Sequence, residues 1–184
     1  MPPFHHPFPA GAVTLDELES KAVLRAAGIP VTADVCIPLD AKLLHDGPIG
    51  PAEGGGKIAF PVALELLSRD IAHQSDIGGL LACPMVDGGI EVIVGVVNDE
   101  TFGPVVALGL GGVLAETLKD VVFRIAPIGR DEALSRIAEL RAAAVFDGER
   151  GRPSADCAAL ADVLVKVSAL AWALRGIALV RTDH

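Results

Sequence analysis

Apolar and polar positions along this chain repeat with two different periods, and the switches between them mark out its elements. "TLDELESKAVLRAAG" (14–28) has the helical period; Thr14 caps it, acids occupy its first turn and Gly28 ends it. "IPVTADVCIP" (29–38) alternates and predicts a strand, whereas 39–57 is rich in Gly and Pro and predicts a long surface loop. "IAFPVALELLS" (58–68) is a second strand, followed by the polar loop "IAHQSDIGG" (71–79). From residue 88 two β-rich runs, 88–99 and 102–112, are joined around "DET" and predict a hairpin. One or two helical turns (113–120) and a strand (121–128) follow. Residues 129–144 predict an amphipathic helix with Leu134, Ile137 and Leu140 on one face. A loop (145–153), an apolar helix capped by Ser154 (154–174) and a terminal strand in "GIALVRTD" complete the order. No internal repeat is visible. The pattern is mixed α/β (α+β) with an antiparallel hairpin in its middle, so a simple parallel Rossmann sheet is a poor match.

Composition narrows the partners. Of 184 residues, 51% are hydrophobic, enough for a real core and too many for a disordered chain. A net charge of -9 lacks the basic footprint that nucleic acid or an anionic membrane surface would need. Cys36, Cys83 and Cys157 have neither metal-site nor disulfide spacing, which suits a reducing cytoplasm. "MPPFHHPFPAGA" does not have the build of a signal peptide, and its adjacent histidines read as a solvated tail. The most apolar run, 102–115, is too short to span a bilayer and is broken by Pro104 and glycines. The expectation is a soluble, cytoplasmic protein.

Three features can carry chemistry, and each has a plainer alternative. Gly109, Gly111 and Gly112 lie between a strand and a helical turn, where backbone N–H groups can hold an anion or simply turn the chain. His73 can serve as nucleophile or base with Asp76 or Ser75 orienting it, or be a solvated loop histidine. Glu91 interrupts an apolar strand; it can face solvent, or bind a ribose, an adenine amino group or Mg²⁺.

The stretches "ESKAVLRAAGIPVT", "FPVALELLS", "IAHQSDIGG", "PMVDGGIEVIVGVVND", "FGPVVALGLGG", "ETLKDVVFRIAPI" and "DGERGRP" together resemble the ATP-grasp (β) part of NDP-forming acyl-CoA synthetases. These are the ADP-forming acetate–CoA ligases, similar to the β subunit of succinyl-CoA synthetase. The resemblance runs over most of 14–182. It implies an ATP-grasp-like fold with a tail (1–13), a shortened N-terminal lobe (14–83) and a C-terminal lobe (84–184). It also implies an acid–CoA ligase component that passes a phosphoryl group between phosphohistidine and ADP or ATP. His73 then matches the relay histidine, with Asp76 beside it, and Glu91, Gly109, Gly111 and Gly112 match nucleotide-binding positions. ATP/ADP and Mg²⁺ are the implied cofactors, and Asp183 stands where the family has a metal-binding asparagine. The implied partner is a CoA-binding, α-type subunit that brings the acyl-CoA; a homo-oligomer is also left open.

Three positions depart from the family's pattern. Glu65 stands where a phosphate-holding lysine belongs, which turns attraction into repulsion. Arg181 replaces a metal-binding aspartate. Between Gly79 and Pro84 only "LLAC" remains of a longer unit, and it reads as a short link. The alternative function is therefore a catalytically degenerate ATP-grasp relative acting as a structural or regulatory subunit.

Overall fold

The computed structural model describes residues 15–37, 61–67, 79–112 except 87, 115, 118–148 and 154–175. The elements are α1 (Glu17–Ala26), β1 (Val35–Ile37), β2 (Val62–Leu67), β3 (Gly79–Pro84), β4 (Val92–Asp99), β5 (Gly103–Leu110), β6 (Val121–Ile125), α2 (Arg130–Glu139), a 3₁₀ turn (Ala143–Asp147) and α3 (Cys157–Ala173). They fall into two compact units: α1 and β1–β3 in one, β4–β6 with α2 and α3 in the other.

In the first unit, β3 is the middle strand of an antiparallel sheet ordered β1-β3-β2. Val35 pairs with Ala82 on one side, and Leu64 pairs with Ala82 on the other. The expectation that "LLAC" is a link is therefore wrong. Leu81 and Ala82, in the middle of this sheet, are fully buried. β1 is shorter than the alternation over 29–38 predicts. Pro30 has no N–H to give a ladder, and the Thr32 hydroxyl donates to Asp34 Oδ1 (2.7 Å) in the stretch that stays outside the strand. The other Asp34 oxygen lies 2.8 Å from Lys21 Nζ, which also meets Glu17 at 2.9 Å, so one lysine ties α1 to the residue that leads into β1. Burial disfavours the Lys21 ammonium, yet its hydrogen bonds to Asp34 and Glu17 outweigh that and raise its pKa. The cap of α1 also differs from the Thr14 expected. Asp16 Oδ1 accepts from Glu19 N (2.9 Å) and Glu19 Oε2 accepts from Asp16 N (3.0 Å), a reciprocal capping box that starts the helix at Glu17. Thr14 lies outside the described residues.

The second unit contains the predicted hairpin. Val92 pairs with Leu110 and Asp99 with Gly103, and β6 extends the sheet from Val105↔Ile125 to Gly109↔Val121. Asp99 Oδ1 shapes the turn by accepting from Thr101 N and Phe102 N, each at 2.8 Å. One face of the sheet packs on α2 and α3 through Val106, Leu108, Leu110, Ile137 and Leu164. On α2 the buried positions are Ala133 and Ile137, followed by buried Leu140 just past its end, and Leu134 is 38% exposed. Of the expected stripe, Ile137 and Leu140 are buried but Leu134 is not, and Ala133 takes its place, because spacing alone does not fix the edge of the buried face. α3 is capped by Asp156, whose Oδ1 accepts from Ala159 N at 2.8 Å, and not by Ser154. Ser168 is fully buried and joins α3 to the chain after β6, accepting from Ile128 N (3.2 Å) and donating to Val165 O (2.8 Å).

The opposite face of this sheet is apolar too. Ile93, Val97, Val121, Phe123 and Ile125 are exposed there, and cross-strand rows such as Gly95–Ala107–Phe123 carry no charge. The predicted strand in 176–183 and the loop over 39–57 fall outside the described residues. Among the described residues, no helix is long and apolar enough to cross a membrane.

Candidate functional site

The structure brings Glu91 and the Gly109–Gly112 segment together at one end of the β4–β5 ladder. Glu91 immediately precedes β4, and Gly111 immediately follows β5. The Gly111 N–H donates to the Glu91 carbonyl at 2.8 Å, which extends the ladder by one more bond. The Glu91 side chain lies over Gly112. A Cβ at Gly112 would displace the tip of the Glu91 side chain, and the backbone there has a φ of +59°, which favours glycine. At Gly109 a Cβ would stand 3.0 Å from the Asp120 carbonyl oxygen and from Val121 Cγ2, so the start of β6 closes tightly on the segment. By strand alternation Glu91 shares its face with Ile93, Gly95 and Val97, the open apolar face of the sheet. An exposed carboxylate therefore stands at the end of an apolar sheet face, beside the backbone of Gly111 and Gly112.

Among the described residues, no group of three or more His, Cys, Asp or Glu could hold a metal ion. His73, Asp76 and Asp183 lie outside the described residues, as does Arg181. Glu65 is on β2, exposed, with its backbone opposite Leu81. It is also the leading neighbouring charge on Cys83, whose thiol pKa is raised by burial first and then by that carboxylate.

One polar group here escaped sequence reasoning. Asp120 is buried, and its Oδ2 accepts from Ala142 N at 2.9 Å. Its Oδ1 lies 3.4 Å from Arg141 Nε, and Arg141 Nη2 donates to the Leu118 carbonyl at 2.8 Å. Between them Lys119 adopts a φ of +46°, a left-handed conformation that costs a non-glycine residue about 1–3 kcal/mol and persists where its neighbours are pinned. The only hint in the sequence is an acid directly before a strand; its partners come from about twenty residues later. The Ala142 N–H holds the Asp120 carboxyl below its ordinary pKa of 3.8, burial opposes this, and Arg141 adds to the lowering. A carboxylate with a depressed folded-state pKa stabilises above its unfolded value, and the stabilisation is lost as pH falls through the folded value. Asp120→Asn is therefore expected to be less stable than the parent at neutral pH, with the gap closing below pH 3.8. Acid unfolding followed by circular dichroism checks this; a gap that persists unchanged into strong acid rules it out.

Residues 80–180 match the ATP-grasp domain family. The β subunit of acetate–CoA ligase (ADP-forming) II from Pyrococcus furiosus is 35% identical over 194 residues, covering 87% of this chain and 78% of that one. Acetate–CoA ligase (ADP-forming) I of Archaeoglobus fulgidus is 36% identical over 187 residues; the match takes in 80% of this chain but 26% of that longer one. Among solved structures, the dinucleotide-forming acetyl-coenzyme A synthetase 1 of Ca. Korarchaeum cryptofilum superposes with a TM-score of 0.66 at 29% identity, over 88% of this chain and 80% of that one. That structure is a complex with coenzyme A and Mg-AMPPCP, its phosphohistidine segment pointing towards the nucleotide binding site.

Proposed function

This chain belongs to the ATP-grasp family of ADP-forming acetate–CoA ligase β subunits, and from that premise we propose that it is the nucleotide-handling component of an ADP-forming acid–CoA ligase. It passes a phosphoryl group between phosphohistidine and ADP or ATP. The observation that carries this is the meeting of Glu91 with Gly111 and Gly112 at the head of an open apolar sheet face. The turn at Gly112, which has no side chain and a positive φ, lets phosphate oxygens approach the backbone. A carboxylate accepts from ribose hydroxyls or a base amino group, and an apolar sheet face suits a planar base. Glu91 is the carboxylate that these residues offer Mg²⁺, a hard cation that takes few protein oxygens and keeps phosphate and water for the rest of its shell. Asp183 is assigned as a second metal ligand from the family pattern. His73 is the relay histidine, oriented by Asp76. The partner is a CoA-binding, α-type subunit or domain that presents the acyl-CoA. Its support is that the relatives are subunits, or a quarter of a longer chain. The N-terminal lobe (14–83) and C-terminal lobe (84–184) are assigned on the same family basis, and a cytoplasmic location on composition.

Glu65 favours a second reading, a relative that keeps the fold but turns nucleotide over poorly or not at all. A carboxylate in place of a phosphate-holding lysine repels the ligand, and Arg181 in place of a metal-binding aspartate repels the metal. Calorimetric titration of the purified chain with Mg²⁺-ADP and Mg²⁺-ATP separates the two. The expected result is weak binding, tightened by about tenfold in Glu65→Lys and further in the double variant Glu65→Lys, Arg181→Asp. No heat from any of these proteins leaves only the degenerate reading. Micromolar binding by the unsubstituted chain shows that Glu65 does not oppose the phosphates.

A further inference from the structure

We propose that Asp120 and Arg141 form a latch that positions the Gly109–Gly112 segment for nucleotide, a role that rests on the nucleotide reading above. The segment has two walls. Glu91 is one, through its hydrogen bond from Gly111 N and its side chain over Gly112. The other is the backbone of Asp120 and Val121, which approaches Gly109 so closely that a Cβ there would stand 3.0 Å from the Asp120 carbonyl oxygen. The ladder to β5 holds Val121 against Gly109 but ends at that pair, so Asp120 lies just beyond the strand register.

The latch supplies the missing constraint. The Asp120 carboxylate takes the Ala142 N–H at 2.9 Å and faces Arg141 Nε at 3.4 Å, while Arg141 reaches back to the Leu118 carbonyl at 2.8 Å. The residues on both sides of Lys119 are thus tied to the chain that follows α2. The same turn is tied to the glycines from within: Lys119 N donates to Ala115 O, and Ala115 N donates to Gly112 O, each at 3.1 Å. Hydrogen bonds, joined by the peptide links of Leu118–Asp120, therefore connect Ala142 and Arg141 to Gly112. The Asp120 side chain is buried, so neither it nor its partner N–H can be replaced by water without opening this line. Arg141 is 75% exposed, and its guanidinium can be removed without leaving a hole in the core. Asp120 does not touch the nucleotide in this arrangement; it acts through the loop.

The test compares Asp120→Asn and Arg141→Ala with Ser168→Ala, which removes a buried hydrogen bond of the same unit away from the loop. Each full-length variant is titrated with Mg²⁺-ADP by calorimetry, and its thermal midpoint is measured alongside. The expected result is that Asp120→Asn and Arg141→Ala weaken binding by about tenfold, since a misplaced loop loses its aim on the phosphates. Ser168→Ala should lower the midpoint at least as much and leave the dissociation constant within about twofold, inside the scatter of independent sites. Unchanged affinity in Arg141→Ala overturns the latch, and so does an equal loss in Ser168→Ala. If Asp120→Asn fails to fold, the exposed Arg141 alone decides. If the unsubstituted chain, Glu65→Lys and the double variant all bind no Mg²⁺-ADP, the nucleotide reading fails first and the latch falls with it.

Discussion

Replacing His73 with alanine is expected to reduce phosphoryl transfer by about 10³-fold or more while leaving the unfolding transition in place. In the relay proposed here, an imidazole nitrogen of His73 takes the phosphoryl group as the N–P bond of the partner's phosphohistidine breaks. It then yields the group to a terminal phosphate oxygen of ADP as the His73 N–P bond breaks. Alanine has no nitrogen to form that bond, so no amount of correct loop geometry restores the path. Asp76→Asn should cost less, since an orienting group steers the imidazole without bonding to phosphorus. The measurement is transfer of labelled phosphate from a phosphorylated CoA-binding partner to ADP, with trapping of acid-labile phosphohistidine on this chain. Label that reaches ADP at the parent rate in His73→Ala removes the histidine from the mechanism. Residues 72–74 lie outside the described residues, so this expectation rests on the motif.

The second large effect is on stability. Leu108→Ala should destabilise the β4–β6 unit by about 2–5 kcal/mol, measured by urea denaturation. Leu108 is 2% exposed at the middle of β5, the central strand, and packs with Val106, Leu164 and Ile137 against both helices. Replacing its isobutyl group with a methyl loses the transfer free energy of three carbons and leaves a cavity between sheet and helices that the strands on either side keep open. Phe123→Ala is the comparison, because Phe123 is larger but 53% exposed on the other face. It should cost under about 1 kcal/mol, since its ring keeps much of its contact with water in the folded state. Equal costs for the two would mean that the core has been placed on the wrong face of the sheet.

Local chemistry carried much of this protein. The hairpin was legible because two β-rich runs flank a short polar turn, and pairing between neighbouring segments needs little information beyond their pattern. The helices were legible from their period, and the sequence singled out Glu91 and the glycines, which meet at the end of the β4–β5 ladder. Tertiary structure decided everything that depends on a partner distant in sequence. "LLAC" is four residues with no alternation, and only the strands on both its sides, Val35–Ile37 and Val62–Leu67, make it the middle of a sheet. Ala133, and not Leu134, faces the core because the sheet chose the side of α2. Asp120 reads as an ordinary surface acid until the chain brings Ala142 N–H and Arg141 to it. A period of two or 3.6 specifies a face; which face is dry, and which buried charge is satisfied, is set by contacts that form only when distant segments pack.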